Sequence, residues 1–248
     1  MRGVCFTPSS HSADKTIVFV RHGCTYMNEH LGRSLSFGAP NFSDIFDEKD
    51  REQFFQDSPL SPYGMRQAKT LLAGSPPSFV SDCELVVTSP LTRALQTFEI
   101  GLKHHFSASV PVVAVPHAAE RLYLVSDIGR KRSELKKKYD FVDFETGFED
   151  HGDEWWYSPA KDEAYVEWRP SGKGQRYACP GEPFHAFEKR MVKLLSWLND
   201  RQEQKIAVVC HHGVIEWMLD MDFDNCQWRE VEFPKLYERA KSVLQSQD

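Results

Sequence analysis

Four short apolar runs punctuate the chain: Thr16–Val20, Glu84–Thr88, Val110–Val115 and Lys205–Cys210. They are rich in β-branched residues and bounded by polar, glycine or proline positions. Unbroken apolarity, rather than alternation, is the pattern of strands buried on both faces inside a parallel sheet. Between the runs, apolar residues recur at helical spacing. Phe184, Phe187, Met191, Leu194, Leu195 and Leu198 form one stripe, which predicts a helix packed on the sheet. Ser61-Pro62 and Ser89-Pro90 each offer an N-cap serine before a proline at the first helical position, and Gly74 after Leu71-Leu72 marks a helix stop. Strands alternating with helices predict an α/β chain, a three-layer α/β/α sandwich with a mainly parallel central sheet and right-handed crossovers.

Two stretches break the alternation. His30–Ser58 holds glycine, serine and phenylalanine and then turns acidic, while Tyr139–Gly181 carries Trp155, Trp156, Tyr157 and Trp168 among several acids. Segments of that length inside a compact domain are characteristically lids or binding loops, so insertions over the mouth of a site are expected at about 30–58 and 139–181. No repeat, low-complexity tract or shift of composition marks a linker. Residues 1–15 read as a flexible N-terminal arm and residues 16–248 as a single domain.

Composition narrows the function. Of 248 residues, 41% are hydrophobic and 27% charged, the balance of a soluble globular protein. No apolar run reaches the length of a membrane span. The first residues lack the basic-then-apolar pattern of a secretory signal, so a cytoplasmic location is expected. A net charge of −6 argues against a general nucleic-acid binder. Neither nucleic acid nor membrane is an expected partner; the oligomeric state is not legible. Six cysteines (Cys5, Cys24, Cys83, Cys179, Cys210 and Cys226) lack CxxC spacing and read as free thiols of a reducing compartment rather than a disulfide framework.

The candidate chemistry lies at the strand ends, outside which ligands bind in open α/β sheets. Arg21, His22, Gly23 and Asn28 follow the first run, Ser89 and Arg93 the second, Glu120 the third, and His211 with His212 the fourth. A histidine between an arginine and a glycine suits a nucleophile for phosphoryl groups, since the arginine neutralises phosphate and the glycine lets the backbone turn close to the ligand. Two arginines, two histidines, an amide and an acid on one edge predict a phosphate pocket with a proton donor. Glu99 and Asp127 compete with Glu120 for the acid's role. His104-His105 and His211-His212 raise the question of a metal. Adjacent histidines on a strand point to opposite faces and make poor joint ligands, so neither metal nor cofactor is expected.

Five segments occur in order: Arg21-His22-Gly23 with Asn28, Leu60–Ala68, Thr88–Thr97, Ala119-Glu120-Arg121 and Val208–Ile215. In these the chain resembles the histidine phosphatase superfamily, branch 1, also called the phosphoglycerate-mutase-like family, over about Ile17 to Leu219. Gly181-Glu182 with Phe187 and Arg190 is similar to the segment that opens the family's long helix. The resemblance implies a metal-independent phosphatase that hydrolyses a phosphomonoester through a phosphohistidine intermediate, with a small phosphorylated molecule as its partner.

The implied roles follow residue by residue. His22 attacks phosphorus from an unprotonated nitrogen while its other ring nitrogen donates to a backbone carbonyl. Arg21 and Arg93 hold phosphate oxygens, with Asn28 and His212 adding contacts. His211, preferably protonated, stabilises charge on the transferring group and binds phosphate. Glu120 protonates the leaving oxygen and then activates water, which asks for a raised pKa. The alternatives are a phosphoglycerate mutase and a non-catalytic phosphate-binding protein on the same fold. Cys24, where the family often has an acid, and His212, where a smaller residue is common, depart from the pattern. Glu120-Arg121-Leu122-Tyr123-Leu124 lacks the histidine and glycine of the dedicated mutases, which favours hydrolysis. Ser126–Arg130 and Trp155-Trp156 look like a mutase-like branch.

Overall fold

A computed structural model describes residues 14–32, 55–72, 78–158 and 181–245, with side chains in the last segment as far as Lys241. Five strands, β1 (Thr16–Arg21), β2 (Leu85–Thr88), β3 (Val112–Ala114), β4 (Lys205–Cys210) and β5 (Trp228–Glu232), form one sheet in the order β3-β2-β4-β1-β5. The first four run parallel and β5 lies antiparallel on β1. β4 enters late in the chain yet sits between β2 and β1, at the centre.

The apolar runs become strands because both of their faces are covered. Ile17 and Phe19 of β1, with Ile206 and Val208 of β4, face a cluster supplied by α6 (Phe184–Asp200), α7 (His212–Leu219) and α8 (Phe233–Gln245). The alternate residues Val18, Val20, Val86, Ala207 and Val209 face α3 (Ser78–Asp82) and α4 (Thr92–Gly101), through Phe79, Ala94 and Phe98. Each fully buried aliphatic of this kind contributes about 1.5–3 kcal/mol, so the sheet is the most strongly fixed part of the molecule. α1 (Tyr26–Gly32), α2 (Pro62–Thr70) and α5 (Arg132–Lys138) complete the helices, and the α/β/α sandwich is the architecture expected.

Five details differ from the sequence reading or extend it. β5 carries Arg229, Glu230 and Glu232 on a half-exposed edge, and such a polar edge strand has no apolar run to announce it. Ser61 caps α2 as expected, accepting from Gly64 N at 3.1 Å. Ser89 does not cap α4. The helix begins at Thr92, whose N–H donates 2.8 Å to Asp57 Oδ1, while Ser89 Oγ is drawn to His211. Lys15, placed in the flexible arm by sequence, is fully buried, and its Nζ donates to the carbonyls of Leu198 (2.7 Å) and Arg201 (2.6 Å) at the end of α6. Phe184, the first residue of the expected stripe, stays 51% exposed.

The second interruption also departs from expectation where it is described. Asp143 lies alongside β3, receiving Ala114 N at 2.9 Å and donating to Val112 O at 2.8 Å. Tyr139, Val142, Phe144, Phe148 and Trp155 pack with Leu91, Leu95 and Leu135. Residues 139–158 therefore seal the open edge of the sheet, because their aromatics find apolar cover there. Residues 33–54, 159–180 and 1–13, the rest of both expected insertions and of the arm, lie outside the described residues, as do Gly74, Cys5 and Cys179.

Candidate active site

Sheet register brings the two histidines together. Arg21 of β1 pairs with Cys210 of β4, so His22 and His211 are the next residues on adjacent parallel strands. His22 N donates to Cys210 O at 3.1 Å, and the two rings stand 5.0 Å apart between centroids. The loop after β1 is then pinned from several sides. Gly23 N donates to Thr97 Oγ1 (3.0 Å), Cys24 N to Gln67 Oε1 (2.9 Å), and His22 O receives Asn225 Nδ2 (2.9 Å). Gly64 is required for this close approach, since a Cβ there would fall 1.8 Å from Cys24 O.

His22 is 4% exposed, and its Nδ1 lies 2.7 Å from Gly23 O. A carbonyl only accepts, so Nδ1 carries the proton and Nε2 the lone pair. Burial, then the charges of Arg93 and Arg21, hold the ring well below the usual histidine range, which keeps it neutral.

His211 corrects the expectation of a protonated partner. Arg93 Nε donates to its Nδ1 at 3.1 Å, so that nitrogen bears a lone pair, and Nε2 is the donor to Ser89 Oγ at 2.7 Å. Burial and Arg93 lower its pKa well below the ordinary value. Both ring nitrogens are thus occupied within the protein, and His211 acts here as a seat for Arg93 rather than a charged group facing the cavity.

Arg93 itself is 4% exposed. Its NH1 donates to Ser126 O (2.7 Å) and its NH2 to Asp127 Oδ1 (2.8 Å), leaving one N–H on each for a ligand. Arg21 NH1 donates to Phe223 O, and its Nε is a solvent-shielded donor with no partner. An unpaired buried donor on a cation is costly and fits an anion.

Glu120 arrives from the opposite wall. Its Oε1 accepts from Arg121 N (2.9 Å) and its Oε2 from Gly213 N (3.1 Å). A Cβ on Gly213 would lie 2.4 Å from Glu120 Oε1, so a larger residue there would displace this carboxylate. Desolvation, then the neighbouring Asp127, raises the Glu120 pKa, as the acid role requires. Arg190 of α6 holds the segment in place, donating to the carbonyls of His117, Ala119 and Glu120 while pairing with Glu182 at 2.6 and 2.8 Å.

These groups surround a cavity of about 310 Å³ lined by Arg21, His22, Arg93, Glu120, Asn28 and His212. Asn28 Oδ1 accepts from Thr25 N, so its amide nitrogen is what it can offer a ligand. His212 is 39% exposed at the rim, with Nδ1 3.2 Å from Asp222. One end of the cavity is apolar, walled by Met27, Leu31 and Leu124, with Tyr123 beside them. His104 and His105 sit together on a turn away from the pocket. Among the described residues no cluster of His, Cys, Asp or Glu fits a metal ion, and no helix is long and apolar enough to cross a membrane.

Sequence reasoning missed Asp57, which is 1% exposed, has a positive φ of 48° and anchors the helix carrying Arg93. It also named Asp127 only as a rival acid, whereas Asp127 is the ion-pair partner of Arg93. Nothing local marks either role; each depends on a residue more than thirty positions away.

A family model described as the histidine phosphatase superfamily (branch 1) matches residues 17–236. No curated protein matches the chain. Among solved structures similar to it are the α-ribazole phosphatase from Shigella flexneri (19% identity, 87% of this chain and 89% of that one, TM-score 0.47) and a mycobacterial glucosyl-3-phosphoglycerate phosphatase (18%, 87% and 90%, TM-score 0.45). A third is the ecdysone phosphate phosphatase from Bombix mori (16%, 87% and 88%, TM-score 0.44). At these identities the likeness says nothing of substrate.

Proposed function

This chain belongs to branch 1 of the histidine phosphatase superfamily, and from that premise we propose that it hydrolyses a phosphomonoester through a phosphohistidine at His22, without a metal. The observation that carries this reading is one cavity that joins a neutral imidazole to a carboxyl pushed towards its protonated form. The Nε2 lone pair of His22 attacks phosphorus, and the bond to the leaving oxygen breaks. Glu120 gives that oxygen its proton. The ionised Glu120 then takes a proton from water, whose oxygen attacks the phosphohistidine; inorganic phosphate departs and both residues are restored. Arg21 and Arg93 hold the phosphate oxygens and oppose the charge that gathers on them, Arg93 being aimed by His211. Asn28 and His212 contact the phosphate from the rim.

The apolar end of the cavity, at Met27, Leu31 and Leu124, supports a leaving group that presents hydrocarbon surface over a compact, highly charged one such as phosphoglycerate. The four free thiols among the described residues, Cys24, Cys83, Cys210 and Cys226, support a reducing compartment such as the cytoplasm.

Brief mixing with a labelled aryl phosphate should leave acid-labile, base-stable label on His22, with a rate indifferent to chelator. Label on a cysteine, or a rate that collapses in chelator and returns with Zn²⁺ or Mg²⁺, would overturn the mechanism. Isomerisation of 3-phosphoglycerate outrunning phosphate release, in the presence of a trace of the bisphosphate, would make the protein a mutase.

A further inference from the structure

The reaction just described leaves two sequence features unused, Ser126-Asp127-Ile128-Gly129-Arg130 and Trp155. They meet in one unit behind the pocket. Asp127 is 6% exposed; beyond its 2.8 Å bond from Arg93, its Oδ2 accepts from Tyr123 N (3.1 Å) and Leu124 N (2.8 Å). The turn at residues 125–127 is therefore folded around this carboxylate and bolted to Arg93. Trp155 backs it. The indole Nε1 donates 2.8 Å to Arg130 O, and the ring lies so close to Gly129 that a Cβ there would fall 2.3 Å from Cζ2. The indole is itself wedged into the cluster that seals the sheet edge.

We propose that Asp127 is a positioning residue of the phosphatase reaction: it pairs with Arg93 in the cavity that Glu120 also lines and sets its own negative charge beside that acid. The proposal rests on the phosphatase reading. The charged groups and histidines that share the cavity with Glu120 are Asp127, Arg93, Arg21, Arg121, His22, His212 and Glu216, with Arg190 bound to its backbone carbonyl and the Cys210 thiol beyond. Asp127 is the acid among them that pairs with Arg93. Arg93 and Arg21 favour carboxylate; Asp127 opposes this by repulsion and by pairing with Arg93, so both effects keep the proton on Glu120. Without Asp127 a fully charged Arg93 would face Glu120, and the proton needed by a poor leaving group would be lost at lower pH.

The test is Asp127→Asn, with Asp127→Ala as a second variant that sets no amide donor against the Tyr123 and Leu124 N–H groups. Circular dichroism checks the fold of each. The alkaline limb of kcat/KM for an alkyl phosphate should move down by about one pH unit, with turnover near neutrality falling about tenfold. Aryl phosphates, whose leaving oxygen needs little protonation, should lose less than about twofold. In a Glu120→Gln background, adding Asp127→Asn should cost nothing further on alkyl phosphates. A folded variant with an unmoved limb, an equal loss on both substrate classes, or failure of both variants to fold would overturn the proposal. Wild-type protein with no phosphatase activity on any ester would instead sink the reading beneath it.

Discussion

At the strand ends, His22 and His211 are placed by the sheet itself. Backbone pairing of β1 with β4 sets them side by side, and a one-residue slip would exchange the faces on which Ile17 and Phe19, and Val18 and Val20, are packed. Across the pocket, Glu120 and Asp127 sit on a stretch whose only regular structure is two short 3₁₀ turns. They are held by groups from far along the chain: the Arg190 and Glu182 side chains, the backbone N–H of Gly213 on α7, and the Trp155 indole. The floor of the site is thus fixed by the fold and the wall by a polar network. A network fails when one distant member is removed, whereas the floor is sensitive chiefly to its own residues.

The largest effect should come from the floor residue proposed as the nucleophile. His22→Ala should lower turnover of an aryl phosphate by at least about a thousandfold, as removing a nucleophile does, while far-UV circular dichroism stays unchanged. Ready turnover in that variant would place the nucleophile elsewhere. The wall should break from a distance. Arg190→Ala strands the buried Glu182 and frees three carbonyls, a loss of about 3–5 kcal/mol for a broken buried pair. Thermal unfolding should register it, and alkyl phosphates should suffer more than aryl phosphates because Glu120 loses its anchor. An equal loss on both would show that the wall does not depend on Arg190 for its acid.

The smallest effect on turnover should come from Asp57, which touches the helix carrying Arg93 rather than the pocket. Burial pushes its carboxyl up to about 6 from an ordinary 3.8. Between those values the folded chain holds a proton that the unfolded chain has released. The resulting stability is full below pH 3.8 and is lost as pH rises through about 6. Asp57→Asn removes that dependence, so wild type should lose about 1–3 kcal/mol relative to the variant between pH 4 and pH 7. Thermal unfolding across that range measures it, and a constant difference would show that Asp57 does not change its charge there.

The floor was legible and the wall was not, for reasons visible in particular residues. Arg21, His22 and His211 follow apolar runs that could only be buried strands, so their place at one sheet edge came with the fold. Gln67, Gln96 and Thr97, inside the matching motifs, turn out to pin the loops after β1 and before α2. Trp228–Glu232 escaped notice because an edge strand can be polar. Ser89 was misread as a cap because Asp57, thirty-five residues from Thr92, supplies the oxygen instead. The segment 139–158 passed for an insertion over the mouth of the site because its aromatics carry no helical or strand period, and the open edge beside β3 gives them a partner.

The sequence by itself determined the parallel sheet, the order of its helices and the place of Arg21 and His22 at a strand end, since hydrophobic period and strand-end position are local properties. Tertiary structure alone decided that His211 is neutral and serves Arg93, that Asp127 pairs with that arginine, and that Glu120 is held by Arg190 and Gly213. Protonation states and ion pairs depend on burial and on which charges come within a few ångströms, and those distances exist only once remote segments have folded together.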